Sequence, residues 1–252
     1  MISVLIWLIS IALEALLITR FVKQNLVRRY PIFFAYISFV LLSDLILFPL
    51  DSHSATYLYL YWISEFLSLI LGCLVFLEFY WIALRPYPGT ARVARALLSI
   101  LFIVAIVKTV IKILNVPQWW SNATPVQVEG LLRVCQLLAI LVLTLLFLSY
   151  SIPFGRNLRG ILLGYGLFVT WSVICLALVD AGVAKADSLW SYTFSFSFVI
   201  SVVVWTVHLW SYQPNPAPDR TIPLEQEYQR IAAATQRRLH SARGYLAKAV
   251  GS

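Results

Sequence analysis

Seven ionisable side chains share one level within the apolar runs of this chain: Asp44, Glu65, Lys108, Lys112, Glu129, Arg133 and Asp180. In an apolar setting such groups can bind protons, pair with one another or recognise a small charged ligand. Leaving one unpaired near a bilayer centre costs about 2.5 to 3.5 kcal/mol. Glu129 and Arg133 stand four positions apart, in the acid-first order that favours a pair on one helix face, and Lys108 and Lys112 also share a face. Lys112, Glu129 and Asp180 lie near enough to the ends of their runs to snorkel to the surface, whereas Asp44, Glu65 and Lys108 are deeper. Glu65 and Lys108 each sit roughly 10 Å below the same membrane surface, at about 1.5 Å of helix per residue. The sequence therefore predicts that these two pair, with Asp44 as the alternative acid for the same lysine.

A second, thinner polar level comprises Glu14, Glu78 and His208. Glu65 and Glu78 share one run but are separated by roughly 20 Å of helix and point to different faces. They mark two levels and cannot form one acid–base pair. Thr193, Ser197 and Ser201 make a polar stripe that continues to His208. Hydroxyls on such a stripe bond to carbonyls of their own helix or, facing a bundle interior, link the two levels.

Enzyme chemistry has no pattern to rest on. The last apolar run lacks the lysine that a retinal Schiff base needs, and His53, His208 and His240 are too scattered to ligate a haem between facing helices. There is no His-Glu-x-x-His, no Gly-x-Ser-x-Gly and no phosphate-cradling glycine loop. Cys73, Cys135 and Cys175 fall mid-run without Cys-x-x-Cys spacing and read as small buried hydrophobes. The reading is a non-enzymatic protein with no cofactor, no metal and no catalytic residue.

The elements that must position these groups are membrane helices. The chain is 61% hydrophobic and 12% charged with a mean hydropathy of +0.84, against about 25% charged in soluble domains. A span needs roughly 20 apolar residues. The sequence predicts seven: Ile2 to Thr19, Pro31 to Leu50, Tyr57 to Leu84, Ala96 to Leu114, Val126 to Tyr150, Gly160 to Val183 and Leu189 to Trp210. Of the 19 Lys and Arg, all but Lys108, Lys112, Arg133 and Lys185 lie in the three loops of one side or in the carboxyl-terminal tail. Positive charge collects on the cytosolic side, so the amino terminus is placed outside, the tail inside, and the protein in the cell (inner or plasma) membrane. The net charge of +8 is then an orientation signal, and nucleic acid is not expected as a partner. Gly160-x-x-x-Gly164, and Ser64, Ser68 and Gly72 at four-residue spacing, offer surfaces where helices can approach closely.

Three segments follow: a seven-helix transmembrane domain over residues 1–211, a proline-rich linker over 212–223 and a cytosolic amphipathic helix within 224–252. Leu224, Tyr228, Ile231, Leu239, Ala242 and Leu246 form its apolar stripe, with Arg230, Arg237, Arg243 and Lys248 off it. Such a helix suits the anionic inner leaflet or a protein partner, through residues 224–249. Besides the bilayer itself, association with a second copy of the chain stays open.

The run Tyr61-Trp-Ile-Ser-Glu-Phe-Leu-Ser68, continuing through Glu78 to Arg85-Pro-Tyr-Pro-Gly89, resembles segments of uncharacterised bacterial seven-span membrane proteins. The resemblance covers the first four spans and implies the fold but no activity. Function must come from the polar groups. The first expectation is a membrane sensor or receptor-like module with an outward-facing polar pocket. The alternatives are a small-solute or ion transporter or channel, and a structural subunit of a membrane complex.

Overall fold

The structure is a computed structural model. It describes residues 2–51, 54–114, 123–149, 155–180, 193–216 and 226–238, except for the side chains of residues 2, 3, 112, 113, 123–127, 149, 179 and 180. The described elements are all helical, with these long ones: α1 (Ile2–Lys23), α2 (Pro31–Leu47), α3 (Ala55–Leu84), α4 (Pro88–Leu114), α5 (Ala123–Ser149), α6 (Arg156–Asp180) and α7 (Ser195–His208). Residues 226–238 add a further helix, and residues 224, 225 and 239–249 of the expected tail helix lie outside the described residues. α1, α3, α4, α5 and α6 are long and apolar enough to cross a membrane, while α2 and α7 are apolar but shorter. This is the helix content of a multi-pass membrane protein. Its surface agrees: Leu45, Ile70, Leu77, Ile103, Leu145, Leu167 and Val203, spread over six helices, are all exposed. Apolar side chains facing outward from a bundle need hydrocarbon around them.

Six helices close a ring in the order α1, α2, α3, α5, α6, α7 and back to α1. α4 stands outside it, packed along α5 and touching its chain neighbour α3 only slightly. Chain order and ring order thus part company at α4, although the turn from α3 into α4 is short. That turn is tied by the Tyr80 hydroxyl, which donates to the Ala91 carbonyl at 2.6 Å.

Trp205 of α7 is the hub of the interior. It is fully buried, its indole N–H donates to the Ile161 carbonyl at 3.1 Å, and the rings of Phe33, Tyr36, Tyr165 and Phe198 surround it at centroid distances of 5.2 to 6.4 Å. Glycine makes room for it. A Cβ at Gly164 would meet the Trp205 ring at 2.4 Å, and one at Gly160 would meet His208 at 2.1 Å. The small-residue spacing read from the sequence is therefore where α6 and α7 approach. In lipid, where apolar burial gives no drive between helices, close packing and interhelical hydrogen bonds supply the cohesion.

Candidate functional site

Arg133 of α5 is the one guanidinium buried in the bundle among the described residues, its side chain 3% exposed. It forms an ion pair with Glu65 of α3, and its Nε donates to Glu129 Oε1 at 3.4 Å, one turn earlier on α5. Phe168 of α6 and Phe194, just before α7, lie against the guanidinium at 4.8 and 5.6 Å from their ring centroids. Aromatic faces attract a cation through their quadrupole, so the charge is held by two carboxylates and walled by two rings. Glu129 is buried and its Oε2 has no hydrogen-bond partner among the described residues. The triad offers two acids to one base, and a proton or a small cation reaching it would neutralise the excess.

Neighbouring residues fix the α3–α5 register that brings Glu65 to Arg133. Gln136, one turn beyond Arg133, is fully buried and donates from Nε2 to the Leu69 carbonyl at 3.1 Å, with Cys73 Sγ at 3.7 Å. Gly72 admits the Tyr165 hydroxyl, which a Cβ at that position would meet at 1.8 Å. Tyr165 in turn packs its ring on Tyr36 at 5.6 Å and on Phe76 at 4.9 Å. Sequence reasoning missed Gln136, although its i,i+3 spacing from Arg133 was the available signal.

The structure overturns the pairing of Glu65 with Lys108. Lys108 is exposed on α4, and α4 stands outside the ring, packed along α5, so the lysine faces outward while Arg133 takes the acid. Its long stem can carry the ammonium to the membrane surface. Glu129 does not snorkel either, since at 1% side-chain exposure it turns inward to the guanidinium. Its pairing with Arg133 follows the helical spacing. Asp44 is half-buried on α2, beside Trp7 of α1 and within electrostatic reach of Glu65. Lys112 and Asp180 fall on α4 and α6, but their side chains lie outside the described residues.

The residues expected at the second level separate into different roles. Both oxygens of Glu78 accept backbone N–H groups of the first turn of α2, Ile32 at 2.9 Å and Phe33 at 2.9 Å. The residue before Pro31 is Tyr30, whose side chain makes no capping hydrogen bond, so a carboxylate from α3 caps α2 from outside and sits at the positive end of its dipole. Glu14 is fully buried, accepts from Ser10 Oγ at 2.9 Å and shares its electrostatic environment with Asp44. It belongs with the Asp44 side of the bundle. His208 is half-buried, its Nδ1 2.9 Å from the Val204 carbonyl.

The stripe on α7 faces the interior, but its hydroxyls are used locally. Ser197 donates to Phe194 O at 2.8 Å and Ser201 to Ser197 O at 2.9 Å, while Thr193 Oγ1 lies 3.5 Å from Cys175 Sγ. Ser197 and Ser201 are thus satisfied by the backbone of their own helix, and Thr193 meets α6.

The arginine-rich end of the bundle ties the chain leaving α7 to the helices beside it. Asn157, near the start of α6, donates to the carbonyls of His208 and Ser211 at 3.1 and 2.9 Å and accepts from Gln213 N at 2.7 Å. Asn215 Oδ1 accepts from Gly155 N at 3.2 Å, and Arg20 lies 3.5 Å over the Trp210 ring. Among the described residues no group of three or more His, Cys, Asp or Glu could hold a metal ion. No protein-family model, curated protein or solved structure matches the chain.

Proposed function

We propose that this chain is a non-enzymatic membrane sensor or receptor-like module of seven spans, with the amino terminus outside and the tail in the cytosol of a cell membrane. The carrying observation is the triad of Glu65, Arg133 and Glu129, a charged unit on two neighbouring helices closed over by aromatic rings of α6 and of the residue just before α7. Neutralising one acid loosens the hold on Arg133 and relaxes the contact of α5 with α3 and α6. The same α6 and α7 carry the segment leading to the tail, anchored through Asn157 and Gly155. A change in their packing therefore moves the tail. The distribution of positive residues supports the orientation. Reporter fusions at Ser54, at Asn122 and after Ser252 should read outside, outside and inside, and a carboxyl terminus that reads outside contradicts the placement.

The closed six-helix ring around a charged triad is the observation that favours a second reading, a small-solute or ion carrier. Carriers build their sites from broken helices and repeats, whereas α3, α5 and α6 run through the level of the triad without a break. Proteoliposome flux separates the two. The sensor passes neither protons nor small ions above the protein-free rate, and saturable flux lost in Arg133→Met would establish the carrier.

A further inference from the structure

We infer that the cleft between α3 and α4 is a binding site for one anionic phospholipid, its headgroup on Arg85, Arg92 and Arg95 and an acyl chain along the helices. α4 stands outside the ring and barely touches α3, and the space left between them consists of two adjoining cavities of about 310 and 300 Å³ that share Tyr80 and Arg95. The first runs along the spans and is apolar, with Leu77 on one wall and Leu98, Phe102 and Ile106 on the other. From Leu98 to Ile106 is roughly 12 Å of helix at about 1.5 Å per residue, enough for the upper part of an acyl chain. The second lies at the arginine-rich end, lined by all three arginines and by Trp81, with Tyr228 of the tail helix at its edge.

Charge selects the occupant. Arg85, Arg92 and Arg95 are exposed, and none forms an ion pair with a carboxylate among the described residues. Arg92 instead reaches Tyr228, its guanidinium 5.1 Å from the ring centroid and Nη2 3.5 Å from the hydroxyl. Three cations at the mouth of an apolar groove that opens toward lipid match a phosphate attached to a hydrocarbon tail. Because Tyr228 edges the same cavity, a headgroup seated there also meets the tail helix. The lipid then helps to hold that helix against the membrane. The site itself depends only on the bilayer setting, and its failure would leave the triad untouched.

Native mass spectrometry of the full chain in detergent tests this, with phosphatidylglycerol and phosphatidylcholine titrated separately. The expected result is a one-lipid adduct that favours phosphatidylglycerol, with affinity falling about fivefold per arginine replaced by glutamine at positions 85, 92 and 95. Arg156→Gln with Arg159→Gln, at the same end of the bundle, should leave it unchanged. Ser99→Trp, an exposed position beside the groove, should block the adduct by filling the acyl channel, and inorganic phosphate should not displace it. The proposal is overturned by equal binding of the two lipids, by equal losses in the control variant, or by a full phosphatidylglycerol adduct in Ser99→Trp. Displacement by inorganic phosphate alone would reduce the site to an anion contact and also overturn it. The arginines are exposed, so the variants retain the fold, which a melting curve in the same detergent checks.

Discussion

The guanidinium of Arg133 on α5 reaches across to the carboxylate of Glu65 on α3, 68 residues earlier in the chain. Removing one partner of a buried pair strands the other, at a cost of about 3 to 5 kcal/mol. Arg133→Met should lose stability on that scale in denaturant unfolding from micelles. Glu65→Gln in the Arg133→Met background should recover part of the loss, because it removes the stranded charge. Strictly additive losses would contradict the pair.

Lys108 supplies the contrast. It is exposed on the helix outside the ring, so Lys108→Met should change stability by less than about 0.5 kcal/mol, the range of surface substitutions. It should also add independently to Glu65→Gln. A large loss, or coupling between the two, would return Lys108 to the site.

Much of this could be read from the residues, and the part that could not has a physical cause. Apolar run length located the helices: the observed α3 begins two residues before the expected Tyr57 and ends at the expected Leu84. Helical spacing alone gave the Glu129–Arg133 pair and the close approach at Gly160 and Gly164. The partner of Glu65 was illegible because it depends on ring order. A short connection argues for neighbouring antiparallel helices, and here the chain places α5, not α4, against the face of α3 that carries Glu65. Glu78 was read as a member of a polar level. The signal for its real role was at Tyr30-Pro31, a helix start with no capping side chain, which leaves buried N–H donors in need of an acceptor.

Glu78 is therefore a prediction of its own. Glu78→Ala should cost about 1 to 2 kcal/mol, the size of a lost helix cap. Hydrogen exchange should rise at the amides of Ile32 and Phe33, the two donors it satisfies. Glu78→Gln keeps one oxygen acceptor and should fall between. Unchanged exchange at both amides in Glu78→Ala would refute the cap.

Gly72 tests the α3–α6 approach. A methyl there would lie 1.8 Å from the Tyr165 hydroxyl, so Gly72→Ala should destabilise by about 1 to 3 kcal/mol, as overpacking does. Tyr165→Phe removes the colliding oxygen. The double variant should regain part of the loss, since Gln136 Nε2 at 3.0 Å and the ring carbon at 3.1 Å still crowd the site. Absence of any rescue would mean that the two helices are not packed this way.

The most direct test of the sensor reading asks whether the triad is coupled to the tail. Nitroxide labels at Val93 on α4 and Arg230 in the tail helix, both exposed, are placed on a cysteine-free full chain in nanodiscs, and their separation is measured by double electron–electron resonance. Glu129→Gln mimics the neutralised triad and should shift the distance distribution away from that of the unmutated protein, while Lys108→Met should leave it unchanged. A folded Glu129→Gln protein whose distribution superimposes on the unmutated one would contradict the coupling on which the account rests.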